Sequence, residues 1–240
     1  MISRRSGSIS GGSELIRPML CEGKHDCWFL DEVIRQECSI PPLCFHKDLG
    51  GFQKCYRSEY HSTQRSFVIL SDNGHELMAR YVPAIMDFFG TMRLNLHYIV
   101  LKDADYCKPA DLLAQYCDGM NQILKTKKRG GITIRQEQAD HTISMISESD
   151  DRFSFHFHFV FIPQSLEETI VAKSLEMNRS CIRGGTAGVS TDPHKALNDI
   201  ARHLDLDDKE ALIRHSVKEQ WFSDEDWYTD LLSSIQQLNS

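Results

Sequence analysis

The stretch Leu94 to Lys102, LNLHYIVLK, constrains this chain more than any other: it is nearly continuous in apolar residues and runs directly into Asp103-Ala104-Asp105. A strand that reads apolar on both sides is covered on both faces, the situation of a parallel sheet with helices above and below it. The neighbouring segments fit that arrangement. Leu15 to Cys21 is short and apolar and breaks at Glu22-Gly23, a strand entering a turn. His25 to Gln36 then sets Trp28, Phe29, Leu30, Val33 and Ile34 at helical spacing. Leu43 to His46 predicts a second short strand ended by Gly50-Gly51. Ser66 to Ser71 predicts a third, stopped by Asp72-Asn73-Gly74, with helical periodicity from Leu77 to Phe89. Pro109 opens a helix through Leu124, at the first-turn position where the missing N–H of proline costs nothing.

After Gly130-Gly131 the pattern changes to strands at Ile132 to Ile134, His141 to Ile146 and Phe153 to Ile162, followed by a helix from Leu166 to Met177. Residues 178–192 are rich in Gly, Ser and Thr and read as a loop or linker. Residues 193–240 read as a helical C-terminal extension, with Trp221, Phe222 and Trp227 packing back on the body. Residues 1–13 read as a flexible Ser- and Gly-rich leader, which leaves 14–177 as the main domain. The expected class is α/β, with a mainly parallel central sheet flanked by helices.

At 240 residues, with 41% hydrophobic and 25% charged side chains, the chain can bury a substantial core. No apolar run approaches the length of a membrane span, and the arginines near the N-terminus precede no apolar segment of the secretory kind; a cytoplasmic location is expected. The net charge of −7 argues against an extended basic surface. The one dense basic patch, Lys125-Thr126-Lys127-Lys128-Arg129, suits a solvated helix end. Eight cysteines form no CxxC pair and sit near no histidines at zinc-finger spacing, so they read as reduced thiols.

The acidic residues carry the chemistry. In open parallel sheets, functional side chains collect at the carboxyl ends of the strands, and Glu22 and Asp103 both stand at such ends. Asp103 and Asp105 can turn to one side and hold a hard cation, while Asp26, four residues after Glu22, lies on the next turn of the helix. Clustered carboxylates repel one another, and a bound cation relieves that repulsion. Each residue also has a structural reading: Asp26 as a first-turn acid, and Asp105 as a cap before Pro109.

Cys21-Glu22-Gly23-Lys24-His25-Asp26 and Ile99-Val100-Leu101-Lys102-Asp103-Ala104-Asp105 resemble the two signature motifs of the TOPRIM domain, a metal-binding fold of topoisomerases, primases and nucleases. Gly50-Gly51 resembles the glycine turn of its stand-alone members. Ser165-Leu166-Glu167, between a strand and a helix, is similar to the Ser-x-Glu element of OLD-type TOPRIM nucleases, although Ser165 with Glu168 also makes a capping box. The resemblance covers roughly residues 15–177. It departs from the ribosomal-RNA-maturing and topoisomerase members at Tyr106-Cys107, and the chain has no P-loop for the ATPase of full-length OLD proteins.

The resemblance implies a Rossmann-like TOPRIM fold and Mg²⁺- or Mn²⁺-dependent cleavage of phosphodiester bonds in DNA or RNA. Asp103 and Asp105 would hold one metal and Glu22 would be a shared ligand or general acid/base. Asp26, Ser165 and Glu167 would complete a second position. A lysine from a later helix is expected, with Lys195, Lys209 and Lys218 as candidates. A second reading is a non-catalytic metal- or nucleic-acid-binding module acting with a separate ATPase, and a third is a phosphotransferase on a small nucleotide, marked by a narrow pocket beside Asp103. His156 and His158 share one face of their strand and, with His141 or His97, form a competing imidazole site, against packed histidines.

Overall fold

In the computed structural model, described for residues 16–38, 41–59, 66–71, 81–82, 94–126, 131–137, 141–148, 153–178 and 189–239, strands alternate with helices over residues 16–71, and three successive strands follow over residues 132–162. The strands are β1 (Ile16–Cys21), β2 (Leu43–His46), β3 (Ser66–Ser71), β4 (Leu94–Asp103), β5 (Ile132–Glu137), β6 (Thr142–Ser147) and β7 (Phe153–Ile162). The helices are α1 (Lys24–Glu37), α2 (Leu49–Glu59), α3 (Pro109–Thr126), α4 (Leu166–Met177), α5 (Pro193–His203), α6 (Lys209–Lys218) and α7 (Asp226–Asn239). The expected leader and Asp72-Asn73-Gly74 lie outside the described residues, as do most of the expected Leu77–Phe89 helix, residues 179–188 of the linker and Lys127-Lys128-Arg129.

The strands form one seven-stranded sheet in the order β2-β3-β1-β4-β7-β6-β5. β2, β3, β1, β4 and β7 run parallel, and β6 and β5 complete that edge antiparallel. Alternation of side chains along β1 and β4 feeds two cores. Leu20 and Val100 pack with Leu113 and Met120 of α3 on one face. Met19, Cys21, Ile99 and Leu101 pack with Phe29, Leu30 and Val33 of α1 on the other. The chain therefore leaves β1 over one face and β4 over the opposite face, while β1 and β4 are hydrogen-bonded neighbours. A crevice opens at such a switch point, outside the carboxyl ends of the strands.

The C-terminal helices complete the α1 face: Leu197, Ile200, Leu212, Ile213, Val217, Leu231 and Ile235 are all buried there. Phe29 meets Phe222 edge-on at 5.6 Å between ring centroids and Trp227 at 5.8 Å. Full burial of a side chain of this size contributes about 1.5–3 kcal/mol, so these helices are a main part of the core that fixes α1.

Gly50 and Gly51 have a different role from the expected strand-ending turn. They form the first turn of α2, after a left-handed Lys47 at φ 57°. Asp48 folds its carboxylate onto the helix start and accepts from the Gly51 N–H at 2.7 Å. A Cβ at Gly51 would stand 2.1 Å from Asp48 Oδ2, so a larger residue there would displace the Asp48 carboxylate from the helix start. Among the described residues no helix is long and apolar enough to cross a membrane.

Candidate functional site

Glu22 follows β1, Asp103 ends β4 and Glu167 stands in the first turn of α4, just beyond β7. Register fixes their proximity, because Cys21 pairs with Leu101 and Asp103 pairs with Ile162. Asp26, in the first turn of α1, reaches back to accept from the Gly23 N–H at 2.8 Å and is buried at 5% exposure. Asp103 accepts from the Leu166 N–H at 3.0 Å, tying the end of β4 to the start of α4. Ser165 caps that helix: its hydroxyl accepts from the Glu168 N–H at 3.2 Å, and the Glu168 carboxylate accepts from the Ser165 N–H at 3.2 Å.

The electrostatics show how crowded the acids are. Burial pushes the Asp26 carboxyl up to about 7; the Gly23 N–H opposes this, and the charges of Glu167 and Glu22 add to it. Burial likewise raises Asp103, to about 9, helped by Asp26, Glu22 and Glu167. Lys102 pulls both groups the other way. Its ammonium, on a side chain only 6% exposed, is ion-paired with Glu22. Among the described residues, that is the one lysine or arginine ion-paired within the group of four carboxylates.

Asp105 does not join this group in the same way. It lies on the exposed loop after β4 at φ 46°, followed by Tyr106 at φ 64°. Two successive left-handed non-glycine residues are strained backbone. The loop is held by Ala104 N–H to Ile162 O at 2.8 Å and Tyr106 N–H to Pro163 O at 3.2 Å. Asp105 lines, with Lys102, Asp103 and Tyr116, a cleft of about 410 Å³ between β4 and α3. Burial raises the Tyr116 hydroxyl in that cleft, and the charges of Glu22 and Asp105 raise it further.

The lysine in the cluster was not among the candidates. Lys102 lies on β4 itself, whereas Lys195 sits 3.9 Å from its own helix cap Asp192 and Lys218 sits 3.8 Å from Glu32. Lys209 is in the first turn of α6. Two histidines were also missed. His25 Nδ1 lies 2.5 Å and His194 Nδ1 3.4 Å from the same oxygen, Oε1 of Glu167. Burial alone would raise Glu167, but the His25 hydrogen bond, with the charges of His25 and His194, holds it below its ordinary value. His25 sits inside the Glu22–Asp26 motif, the one sequence signal available for it; nothing in the sequence links it to His194.

The competing imidazole site does not assemble. His97 stacks on His156 at 4.7 Å between ring centroids, and His156 shares a hydrogen bond of 2.8 Å with Ser144. His158 shares one of 3.1 Å with Asp230, and His141 packs edge-on against Phe161 at 5.6 Å. Among the described residues, the group of three ligand side chains is His25, Glu167 and His194. The described cysteines are free. No family model matches the chain, and no curated protein or solved structure is significantly similar to it.

Proposed function

We propose that this chain is a TOPRIM-like, Mg²⁺- or Mn²⁺-dependent nuclease of the OLD type, hydrolysing phosphodiester bonds of DNA or RNA. One observation carries the reading. Glu22, Asp26, Asp103 and Glu167 gather at the carboxyl ends of β1, β4 and β7, and burial with mutual repulsion raises Asp26 and Asp103 far above ordinary carboxyls. The donor set is rich in the carboxylate oxygen that a hard dication takes, and a bound ion would displace the protons that burial and repulsion favour on Asp26 and Asp103. Among the described residues these acids do not by themselves bring three donor atoms within 4.8 Å of one another, so the ion would draw them together.

Asp103 with Glu22 would hold one ion, which Asp105 would join only by turning in from its loop, and Asp26 with Glu167 and the Ser165 turn would hold a second. Paired ions of this kind activate water and stabilise the leaving oxygen in an in-line displacement. The chain's own groups do the rest. Glu22 stands beside the Lys102 ammonium, placed to accept a proton from an attacking water while Lys102 offers positive charge to phosphoryl oxygens. Tyr106, 73% exposed beside Asp105, presents a ring on which a base can stack. The Ser165–Glu168 capping box fixes the turn that carries Glu167.

The test is cleavage of single- and double-stranded DNA and RNA with Mg²⁺ and with Mn²⁺. Asp103→Ala and Glu22→Ala should each lower the rate by about 100-fold or more, the scale of losing a group that stabilises the transition state. Activity surviving both substitutions overturns the reading. Mn²⁺ binding with no turnover on any nucleic acid would instead establish the non-catalytic module working with a separate ATPase. Turnover confined to a free nucleotide would establish the phosphotransferase, for which the cleft beside Asp103 supplies room.

A further inference from the structure

We infer that His25, Glu167 and His194 form a binding site for one borderline divalent transition ion, of which Zn²⁺ is the type. The site shares Glu167 with the acidic cluster, but it rests on its own geometry and not on the nuclease reading.

Three helix starts build it. His25 lies in the first turn of α1, Glu167 in the first turn of α4 and His194 in the first turn of α5. Each turn is fixed by its own capping hydrogen bonds. Asp26 holds the Gly23 N–H, Ser165 exchanges bonds with Glu168, and Asp192 accepts from the His194 N–H at 3.0 Å. The three ligand atoms lie within 4.8 Å of one another. The two rings approach to 5.4 Å between centroids at 44°, so neither lies flat over the other; His25 Nδ1 is hydrogen-bonded to the Glu167 carboxylate and His194 Nδ1 lies 3.4 Å from the same oxygen.

Ligand spacing decides between an ion site and an ordinary ion pair. Around a tetrahedral ion with bonds of about 2.0–2.1 Å, neighbouring ligand atoms stand about 3.4 Å apart. His194 Nδ1 is already at 3.4 Å from Glu167 Oε1. His25 Nδ1, at 2.5 Å, has to retreat by about 0.9 Å for that spacing, a small rotation of a side chain that is 13% exposed beside Trp28, while His194, 65% exposed, is free to follow the ion. A simple ion pair needs one imidazole; here two converge on a single carboxylate oxygen.

The donor set selects the ion. Two imidazoles and one carboxylate suit Zn²⁺ and its first-row neighbours, while Mg²⁺ prefers an all-oxygen shell. Two histidines and a glutamate are also the set that leaves a fourth position for water. That position faces outward here because His194 is exposed. Glu167 offers only Oε1 to the histidines, so its second oxygen lies outside those two contacts.

The test uses the full chain, stripped of metal and titrated with ZnCl₂ by calorimetry, with Co²⁺ as the spectroscopic probe. The wild-type protein should take up one Zn²⁺ equivalent that His194→Ala weakens by more than about 100-fold, since even outer-shell changes cost 10–100-fold. His25→Gln should weaken it similarly, whereas His156→Gln, at the imidazole pair between β4 and β7, should leave it. His194 is exposed, so its variant should keep the wild-type circular dichroism and melting temperature. Co²⁺ should give visible ligand-field bands without a thiolate charge-transfer band. The inference is overturned by a wild-type protein that binds no Zn²⁺, by unchanged affinity in His194→Ala, or by a thiolate band that places the ion on cysteine. Zn²⁺ binding without nucleic-acid cleavage removes the nuclease reading and leaves this one standing; cleavage without His194-dependent Zn²⁺ binding does the reverse.

Discussion

Replacing Arg214 by methionine tests how the C-terminal helices hold α1, the helix that carries His25 and Asp26 of the candidate site. Asp31 and Glu32 of α1 are buried, with side chains only 6% and 8% exposed. Arg214 of α6 reaches both through one nitrogen, at 2.6 Å to Asp31 and 3.2 Å to Glu32, and turns its other nitrogens to Glu210 at 3.0–3.1 Å. Methionine keeps most of the stem and removes the charge. Asp31 then retains Arg35 at 3.0 Å, but Glu32 is left with Lys218 at 3.8 Å on a side chain 58% exposed. Breaking a buried ion pair by removing one partner costs about 3–5 kcal/mol. At about 2–4 °C per kcal/mol for a chain of this size, the melting temperature should fall by about 6–20 °C. Urea denaturation followed by tryptophan fluorescence is the assay, since Trp221 and Trp227 are buried in the same core. Adding Glu32→Gln to the Arg214→Met protein should recover part of the loss, because it removes the charge left uncompensated. A cost below about 1 kcal/mol, or a Glu32→Gln change that deepens the loss, would refute the argument.

Asp26→Asn should stabilise the metal-free protein increasingly with pH. Burial holds the Asp26 carboxyl at about 7, above its unfolded value, so the folded state keeps a proton that the unfolded chain has released. Wild-type stability therefore drops as pH rises from about 4 to about 7, by up to about 4 kcal/mol for a shift of this size, and urea midpoints of the two proteins in EDTA should diverge across that window. Parallel curves would contradict it. Burial lowers His97 and His156, which face each other across β4 and β7, and each ring's charged form is disfavoured in the fold. The unfolded chain takes up those protons first, so stability should fall as pH drops below about 6.5, the ordinary histidine value, and His156→Gln should flatten that acid limb in thermal melts. Ser165→Ala removes a cap and should cost about 1 kcal/mol, read as a shift in denaturation midpoint without a change in its slope.

The strands and helices were legible where one physical signal dominated. The apolar run before Asp103 had to be a strand covered on both faces, and Val100 and Leu101 do face opposite cores. Pro109 marked a helix start because an unsatisfied first-turn N–H is no loss there. Gly50-Gly51 misled for an equally local reason. A glycine pair signals a turn, but at this position the absent Cβ makes room for the Asp48 carboxylate at the start of α2. The placement of β4 beside β1, which creates the crevice, depends on the crossover after β3, and no local pattern encodes it.

The site divides the same way. Glu22, Asp26 and Asp103 were legible because strand ends and first turns are local features, and the parallel register brings them together. Asp105 was grouped with Asp103 by spacing alone, yet its left-handed backbone carries it out onto the loop over α3. Lys102, His25 and His194 escaped because their partners are distant in sequence: Lys102 meets Glu22 across two strands, and His194 meets Glu167 only once α5 has packed against α4. These additions share one logic. Among the described residues, the cationic or proton-bearing side chains at the cluster each lie against a carboxylate, Lys102 against Glu22 and the two histidines against Glu167. The acids left without such a partner are Asp26 and Asp103, the two whose carboxyls burial and repulsion raise to about 7 and about 9. The carboxyls that the fold disfavours as anions thus lie between β1 and β4 at the switch point, where an oxygen-seeking dication would displace their protons, while the imidazoles lie at the α4–α5 side, where a nitrogen-seeking ion would bind. A single carboxylate, Glu167, stands between the two, so removing it should weaken both kinds of ion, whereas His194→Ala should weaken only the second.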